Sequence, residues 1–332
     1  MSAGWGRSPL SGNAFVGCLA YALGERRIDL ATSAANGRLR SEPRDLAEAG
    51  FAVHHVCNPT TSAYDLARAA TARIAAAGGL RDVDAIIYAT ALPTNGTVGD
   101  LDTARRTRDI AHLMDFPGSR LQVDFDLDGA VVVGLNQQAC TGLLGSLHLA
   151  RALLAIESDW RRVLCVTADR LPDGAMYEQA YNLISDGAAA CVVSRQPAAF
   201  RIIAGHQITN GGLGLAGADE IVGAFFTYTH RVVVEALEKA GLTAGDLDWV
   251  VAQNANPAAW EVFARLLGVP ESRVWLPSVA RAGHVVSADT IINLQALVDS
   301  GRLRPGHRLA LVAAGHGLNW QCAILQATEA VS

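Results

Sequence analysis

Residues 140–158 read CTGLLGSLHLARALLAIES, and after a short turn residues 162–167 read RVLCVT. The first stretch repeats its apolar residues at helical spacing and the second is a β-branched, buried-strand run. The second half of the chain carries a comparable pair, HVVSADTIINLQALVDSG at 284–301 and RLALVA at 308–313. Each pair is preceded by another. Residues 60–79 (TTSAYDLARAATARIAAAGG) place Leu66, Ala70 and Ile74 on one helical face ahead of a Gly-Gly stop, and 81–90 (RDVDAIIYAT) read as a strand. Residues 227–241 (TYTHRVVVEALEKAG) and 245–254 (GDLDWVVAQN) repeat this unit, down to an Asp-x-Asp pair at Asp82/Asp84 and again at Asp246/Asp248. Two helix–strand modules in the same order, twice, predict an internally duplicated α/β chain with halves at 1–195 and 196–332. The first half is longer by about 20 residues, which predicts an insertion within 91–127. Equivalent loops of the two halves then meet in one cleft, which brings Cys140 and His284 into candidate proximity.

Composition narrows the classes. The chain has 332 residues, half of them apolar and 18% charged, enough for a large core and too little charge for disorder. A net charge of −5, with Lys239 the only lysine among 27 basic residues, argues against nucleic acid as a partner. The longest uninterrupted apolar runs are too short for a membrane span, and Met1–Arg7 lack a signal pattern, so a cytoplasmic enzyme away from the membrane is expected. No two of the six cysteines are spaced Cys-x-x-Cys, so all six are expected reduced. His54-His55 has no third ligand at metal-like spacing, and Gly212–Gly217 matches a dinucleotide fingerprint without the acidic residue that should follow. Neither a metal nor a tightly bound cofactor is expected.

Cys140 differs from the other five thiols. It follows the strand-like run 130–135 and a short turn, and stands where the next helix starts among Ala139, Thr141 and Gly142. A strand-to-helix turn exposes a nucleophile, the helix N-terminus favours its thiolate, and local N–H groups can receive an oxyanion. Cys18, Cys57, Cys165, Cys191 and Cys322 are expected in the core. Asp124–Asp128 alternates like an exposed edge strand, and Met114, Phe116 and Pro117 fit a pocket wall, an interface or the core equally well.

The order of elements, the Cys140-Thr141-Gly142-Leu143 helix start, Ser185-Asp186-Gly187-Ala188, and the segments EALEKAGLTAGDLDWVV, LLGVPESRVW, GRLRPGHRLALV and GHGLNW resemble the β-ketoacyl-ACP synthase III branch of the thiolase superfamily. The resemblance runs from about Phe51 to Gln326. It implies a thiolase fold, two duplicated α/β halves in a layered αβαβα arrangement. It also implies a homodimer and an active-site cysteine acylated from an acyl-ACP or acyl-CoA thioester. The departures are specific. The family's His-Gln-Ala-Asn segment falls on Gln253-Asn254-Ala255-Asn256, and its Gly-Asn-Thr-Ser segment on Gly283-His284-Val285-Val286. A Cys-His-Asn set becomes Cys140, Gln253 and His284. The donor-side Trp and Arg of the family are replaced around Leu46 and Glu48, and a carrier-recognition Arg by Ala258, which tilts the expected donor toward an acyl carrier protein.

His284 can serve as base, and Gln253 can donate to an oxygen without taking a proton. Asp289, about one helical turn past His284, is a candidate to orient the ring, although its spacing reads more readily as a solvated helix-face carboxylate. His316, Asn256 and the backbone of Cys140 and Gly317 complete the candidate set, the last two as oxyanion donors. The resulting expectation is an acyltransferase that moves an acyl group through acyl-Cys140 to a small acceptor, in specialised-metabolite (antibiotic) biosynthesis. The alternatives are a carbon–carbon bond-forming condensation on the same intermediate and a non-catalytic partner subunit of an active paralogue.

Overall fold

The computed structural model describes residues 13–179, 182–316 and 318–331. Ten strands form one sheet: β1 (Phe15–Leu23), β2 (Ala85–Ala89), β3 (Val131–Leu135), β4 (Arg162–Asp169), β5 (Gly187–Ser194), β6 (Phe200–Thr209), β7 (Trp249–Ala252), β8 (Val274–Trp275), β9 (Arg308–Gly315) and β10 (Asn319–Ala327). Their order is β3-β2-β4-β5-β1-β6-β10-β9-β7-β8. Inward from either edge the pairings read parallel, parallel, antiparallel, antiparallel, and the central β1–β6 pair is antiparallel. Among the described residues the two halves of the sheet join through the register pairs Phe15↔Arg201 and Val16↔Phe200, with the Ile202 N–H donating to Ala14 O (2.8 Å) beside them. Just beyond this joint β1 (Gly17/Ala20, against β5) and β6 (Ile202/Ala204, against β10) each carry a register shift, the kind of irregularity that kinks a strand.

Helices α1 (Ala63–Ala76), α2 (Gly142–Ile156), α3 (Ala218–Ala240), α4 (Pro257–Leu267) and α5 (Asp289–Asp299) supply the remaining layers. In α1, Ser62 and Asp65 form the capping box, and Leu66, Ala70 and Ile74 are buried as the periodicity predicts. Leu143, Leu147 and Leu154 of α2 share one core with Ile291, Leu294 and Leu297 of α5, Val163 of β4 and Leu309 of β9. α1 packs in a second core, and α3 and α4 in a third. Helix, sheet, paired central helices, sheet and helix thus form five layers, the αβαβα arrangement of the thiolase fold. The continuous run Ala139–Ile156 has 18 residues and a mean hydropathy of 1.5, enough by length and composition for a bilayer. Half of that run, Leu143, Leu147 and Leu154 included, is buried in the central core, which accounts for its apolar character.

Two expectations need correction. Cys18 is exposed, not core, because it sits in the β1 bulge with φ of 52°. The other four are buried as expected. Asp124 closes a helix, Pro117–Asp124, and Asp126 lies in a turn with φ of 53°, so 124–128 is no edge strand. Pro at the first helical position starts that helix, and Tyr64 and Arg68 hold the Asp124 carboxylate. The edge strand is β3 itself. Met114 and Phe116 are exposed while Pro117 is buried.

Candidate active site

The two central helices start alike. Ala139 (φ 43°) opens a 3-10 turn, Ala139–Thr141, that runs straight into α2, and Val286 (φ 50°) opens another, Val286–Ala288, that runs into α5. A left-handed non-glycine residue costs about 1–2 kcal/mol, so both turns are held by their surroundings. Cys140 is the second residue of the first turn, half-buried, where a helix start leaves backbone N–H groups without intrahelical partners. Gly315, at the end of β9, packs directly on it. A Cβ there would lie 3.2 Å from the Cys140 nitrogen and 2.9 Å from the Gln138 carbonyl. On its other side Cys140 adjoins a buried apolar cluster of Val56, Leu171, Tyr177, Ile184 and Val286.

His284 precedes the second turn and is 3% exposed. Its backbone is pinned at both ends: its N–H donates to Leu183 O (2.7 Å) and its carbonyl accepts from Ser185 N (2.8 Å). This fixation depends on Gly283, whose φ is 64° and whose Cβ, if present, would lie 2.7 Å from Leu183 O. The ring Nδ1 pairs with Asp289 Oδ2 at 2.5 Å. With that nitrogen as the donor, Nε2 is left for the Cys140 thiol. Burial alone pushes the imidazole pKa down. The Asp289 carboxylate and the Cys140 sulfur, each by charge and hydrogen bond, outweigh it and hold the ring well above the ordinary histidine range.

Asp289 is not a solvated carboxylate. It is 1% exposed, and besides His284 it accepts from Asn254 N at 2.7 Å (Oδ2) and Val285 N at 2.7 Å (Oδ1). It also begins α5, where the helix N-terminus favours negative charge. Gln253 directly follows β7 and is 5% exposed, with Oε1 accepting from Ala314 N at 2.8 Å. That bond orients the carboxamide and leaves its NH2 end without a partner among the described residues.

The remaining candidates separate. Asn256 caps α4, accepting from Ala258 N at 3.0 Å. His316 is exposed and makes no hydrogen bond to Cys140, His284 or Asp289 among the described residues. Gly317 lies outside the described residues. Two supporting residues stand in segments the sequence reading quotes but assigns no role. Asn254 is fully buried, donates its side-chain N–H groups to Ser278 Oγ (2.8 Å) and Gly283 O (2.7 Å), and accepts from Asn293 (2.8 Å). Ser185 donates its hydroxyl to Ala282 O and accepts the His55 N–H. Polar residues inside an apolar repeat were the available signal. His54 is buried, bonded to Ser33 Oγ (2.6 Å) and Ile184 O (3.0 Å), with its pKa pushed down by burial to about 4, the state of a neutral core histidine.

The five layers and the paired, equivalent helix starts define a thiolase-superfamily protein. Residues 136–211 match the family model of 3-oxoacyl-[acyl-carrier-protein] synthase III, and residues 237–327 match the model of its C-terminal part. The β-ketoacyl-[acyl-carrier-protein] synthase III of Deinococcus deserti is 31% identical over 266 residues, covering 73% of this chain and 70% of its own. The chain belongs to the β-ketoacyl-[acyl-carrier-protein] synthase III family. Its fold is also similar to that of 3-oxoacyl-(acyl carrier protein) synthase III from Pseudomonas aeruginosa PAO1 (TM-score 0.79, 24% identity, 96% of this chain and 99% of that one). The acyltransferase ChlB3 is equally similar in fold, with a TM-score of 0.79 at 21% identity over 96% and 99% of the two chains.

Proposed function

We propose that this family member is an acyltransferase that works through an acyl-Cys140 intermediate and a Cys140–His284–Asp289 triad. The observation that carries the reading is the buried His284–Asp289 pair, whose imidazole the Asp289 carboxylate and the Cys140 sulfur together hold above the ordinary histidine range. A base adjacent to the nucleophile and oriented by a third group is the arrangement that acyl transfer requires.

His284 Nε2 takes the thiol proton as sulfur attacks the thioester carbonyl of an acyl-ACP or acyl-CoA donor. The tetrahedral oxyanion receives backbone N–H bonds, with Cys140 and Gly317 as donors in this reading, and the unpartnered Gln253 amide adds another. The carbon–sulfur bond to the carrier breaks, and His284 returns the proton to the departing thiol. A small acceptor's O–H or N–H then attacks the acyl group, His284 removes its proton, and Cys140 is released. A base whose basicity is held up by Asp289 suits deprotonation of a heteroatom acceptor. Because the base and the amide exchange places relative to the family pattern, we assign the enzyme to specialised-metabolite biosynthesis, acting in the cytoplasm.

A homodimer completes this reading. Ile110, Met114, Phe116 and Val131 are 65%, 59%, 49% and 49% exposed, and the first three lie in the segment that leads to edge strand β3, which carries Val131. An apolar face beside an open strand edge favours pairing with a second copy.

Product analysis tests the reaction. Transfer of the intact donor acyl group to an oxygen or nitrogen acceptor supports the proposal. Carbon dioxide release with a β-keto product supports condensation instead, and no turnover with any donor supports a partner subunit.

A further inference from the structure

We propose that Ser287 is a positioning residue for the nucleophile, capping the helix of Cys140 from the opposite half of the fold. The inference rests on the reading of Cys140 as the acylated residue. A helix start needs a side-chain acceptor for its orphan N–H groups, normally the N-cap residue's own. In α2 that residue is Thr141, and it makes no such bond. Its hydroxyl donates instead to Gln138 O (2.7 Å) and accepts from Gln321 Nε2 (3.2 Å). Ser287 Oγ supplies the missing acceptor, taking the Leu143 N–H at 2.6 Å. The bond has no water to replace it, since Ser287 is 3% exposed and Leu143 fully buried.

Ser287 is also the second residue of its 3-10 turn, the position Cys140 holds in the first half. It lies three positions past His284. One buried hydrogen bond therefore ties the turn that carries the thiol to the turn that follows the imidazole. The contact has little slack: a Cβ on Gly142 would lie 3.4 Å from Ser287 Oγ and 3.3 Å from the Ala89 Cβ. Losing the bond frees the first turn of α2 to shift against His284.

Alkylation of the full-length protein by iodoacetamide, followed by peptide mass spectrometry across pH, reads this directly. Exposed Cys18 serves as the internal reference. In the wild type Cys140 is expected to react faster than Cys18. Ser287→Ala is expected to slow Cys140 about three- to tenfold, the size of a lost helix cap, and to move its pH midpoint, with Cys18 unchanged. Ser287→Thr, which keeps the hydroxyl, should stay near the wild type. A folded Ser287→Ala protein with wild-type rate and midpoint at Cys140 overturns the proposal, whatever its melting temperature. Should Ser287→Ala not fold, Ser287→Cys keeps the shape with a weak acceptor and carries the same expectation. Wild-type Cys140 reacting no faster than Cys18 overturns the nucleophile reading, and this role with it.

Discussion

Replacing Asp289 by Asn keeps the shape of the side chain and removes its charge. The carboxylate accepts three hydrogen bonds, from His284 Nδ1 and Asn254 N on Oδ2 and from Val285 N on Oδ1. An Asn offers one acceptor oxygen and one NH2. With the oxygen at the Oδ2 position, two bonds survive and the NH2 confronts the Val285 N–H. The opposite orientation loses two. The smaller loss is one buried unsatisfied donor pair, about 1–3 kcal/mol of stability. Catalysis suffers more, because the imidazole loses the carboxylate that holds its pKa up while burial still pushes it down. The expected fall in the rate of Cys140 acylation is roughly 10²–10⁴, the range for an impaired general base. The sign with pH follows from the raised imidazole. Its stabilising contribution is fully present below the ordinary value of 6.5 and disappears as pH rises through the higher folded value. Urea unfolding should therefore separate wild type from Asp289→Asn most below pH 6.5, with the gap narrowing as pH rises. Stopped-flow acylation at fixed donor concentration gives the rate. A variant within threefold of the wild type, with an unchanged pH profile, would falsify the triad.

Other outcomes follow from single contacts. Gly283→Ala places a Cβ 2.7 Å from Leu183 O on a residue with φ of 64°, and should cost about 1–3 kcal/mol in thermal unfolding while displacing His284. Gln253→Ala removes an oxyanion donor but no base, so kcat should fall roughly 10- to 1,000-fold with the pH midpoint retained, and a shifted midpoint would contradict that role. Val131→Asp, on the exposed edge strand, should produce monomers in sedimentation velocity, and a dimer of unchanged stability would move the interface elsewhere.

The fold was legible because its repeats are apolar and periodic. The segments around Leu66–Ile74 and Leu143–Leu154 announce buried helices, and their second copies announce the duplication. That duplication also brought Cys140 and His284 toward each other on paper. Asp289 was legible as a position and misjudged as an environment. One turn past His284 on a helix start, a solvated carboxylate and a buried one have the same spacing. The difference arises because Gly283 and Val286 adopt positive φ, and the turn between them brings His284 and the Val285 N–H onto the Asp289 carboxylate. Cys18 was misjudged for a related reason, since a bulge in β1 turns it outward within an otherwise buried run. Asn254 and Ser287 act through bonds between segments remote in sequence, which no local pattern encodes.

The central claim is that Cys140 carries the acyl group. Intact-mass spectrometry after incubation with a panel of acyl-ACP and acyl-CoA donors tests it most directly. The account predicts a mass gain equal to the donor's acyl group on the wild type, its absence in Cys140→Ala, and its slow appearance in Asp289→Asn. A gain that persists in Cys140→Ala, or none on the wild type with any donor, would contradict it.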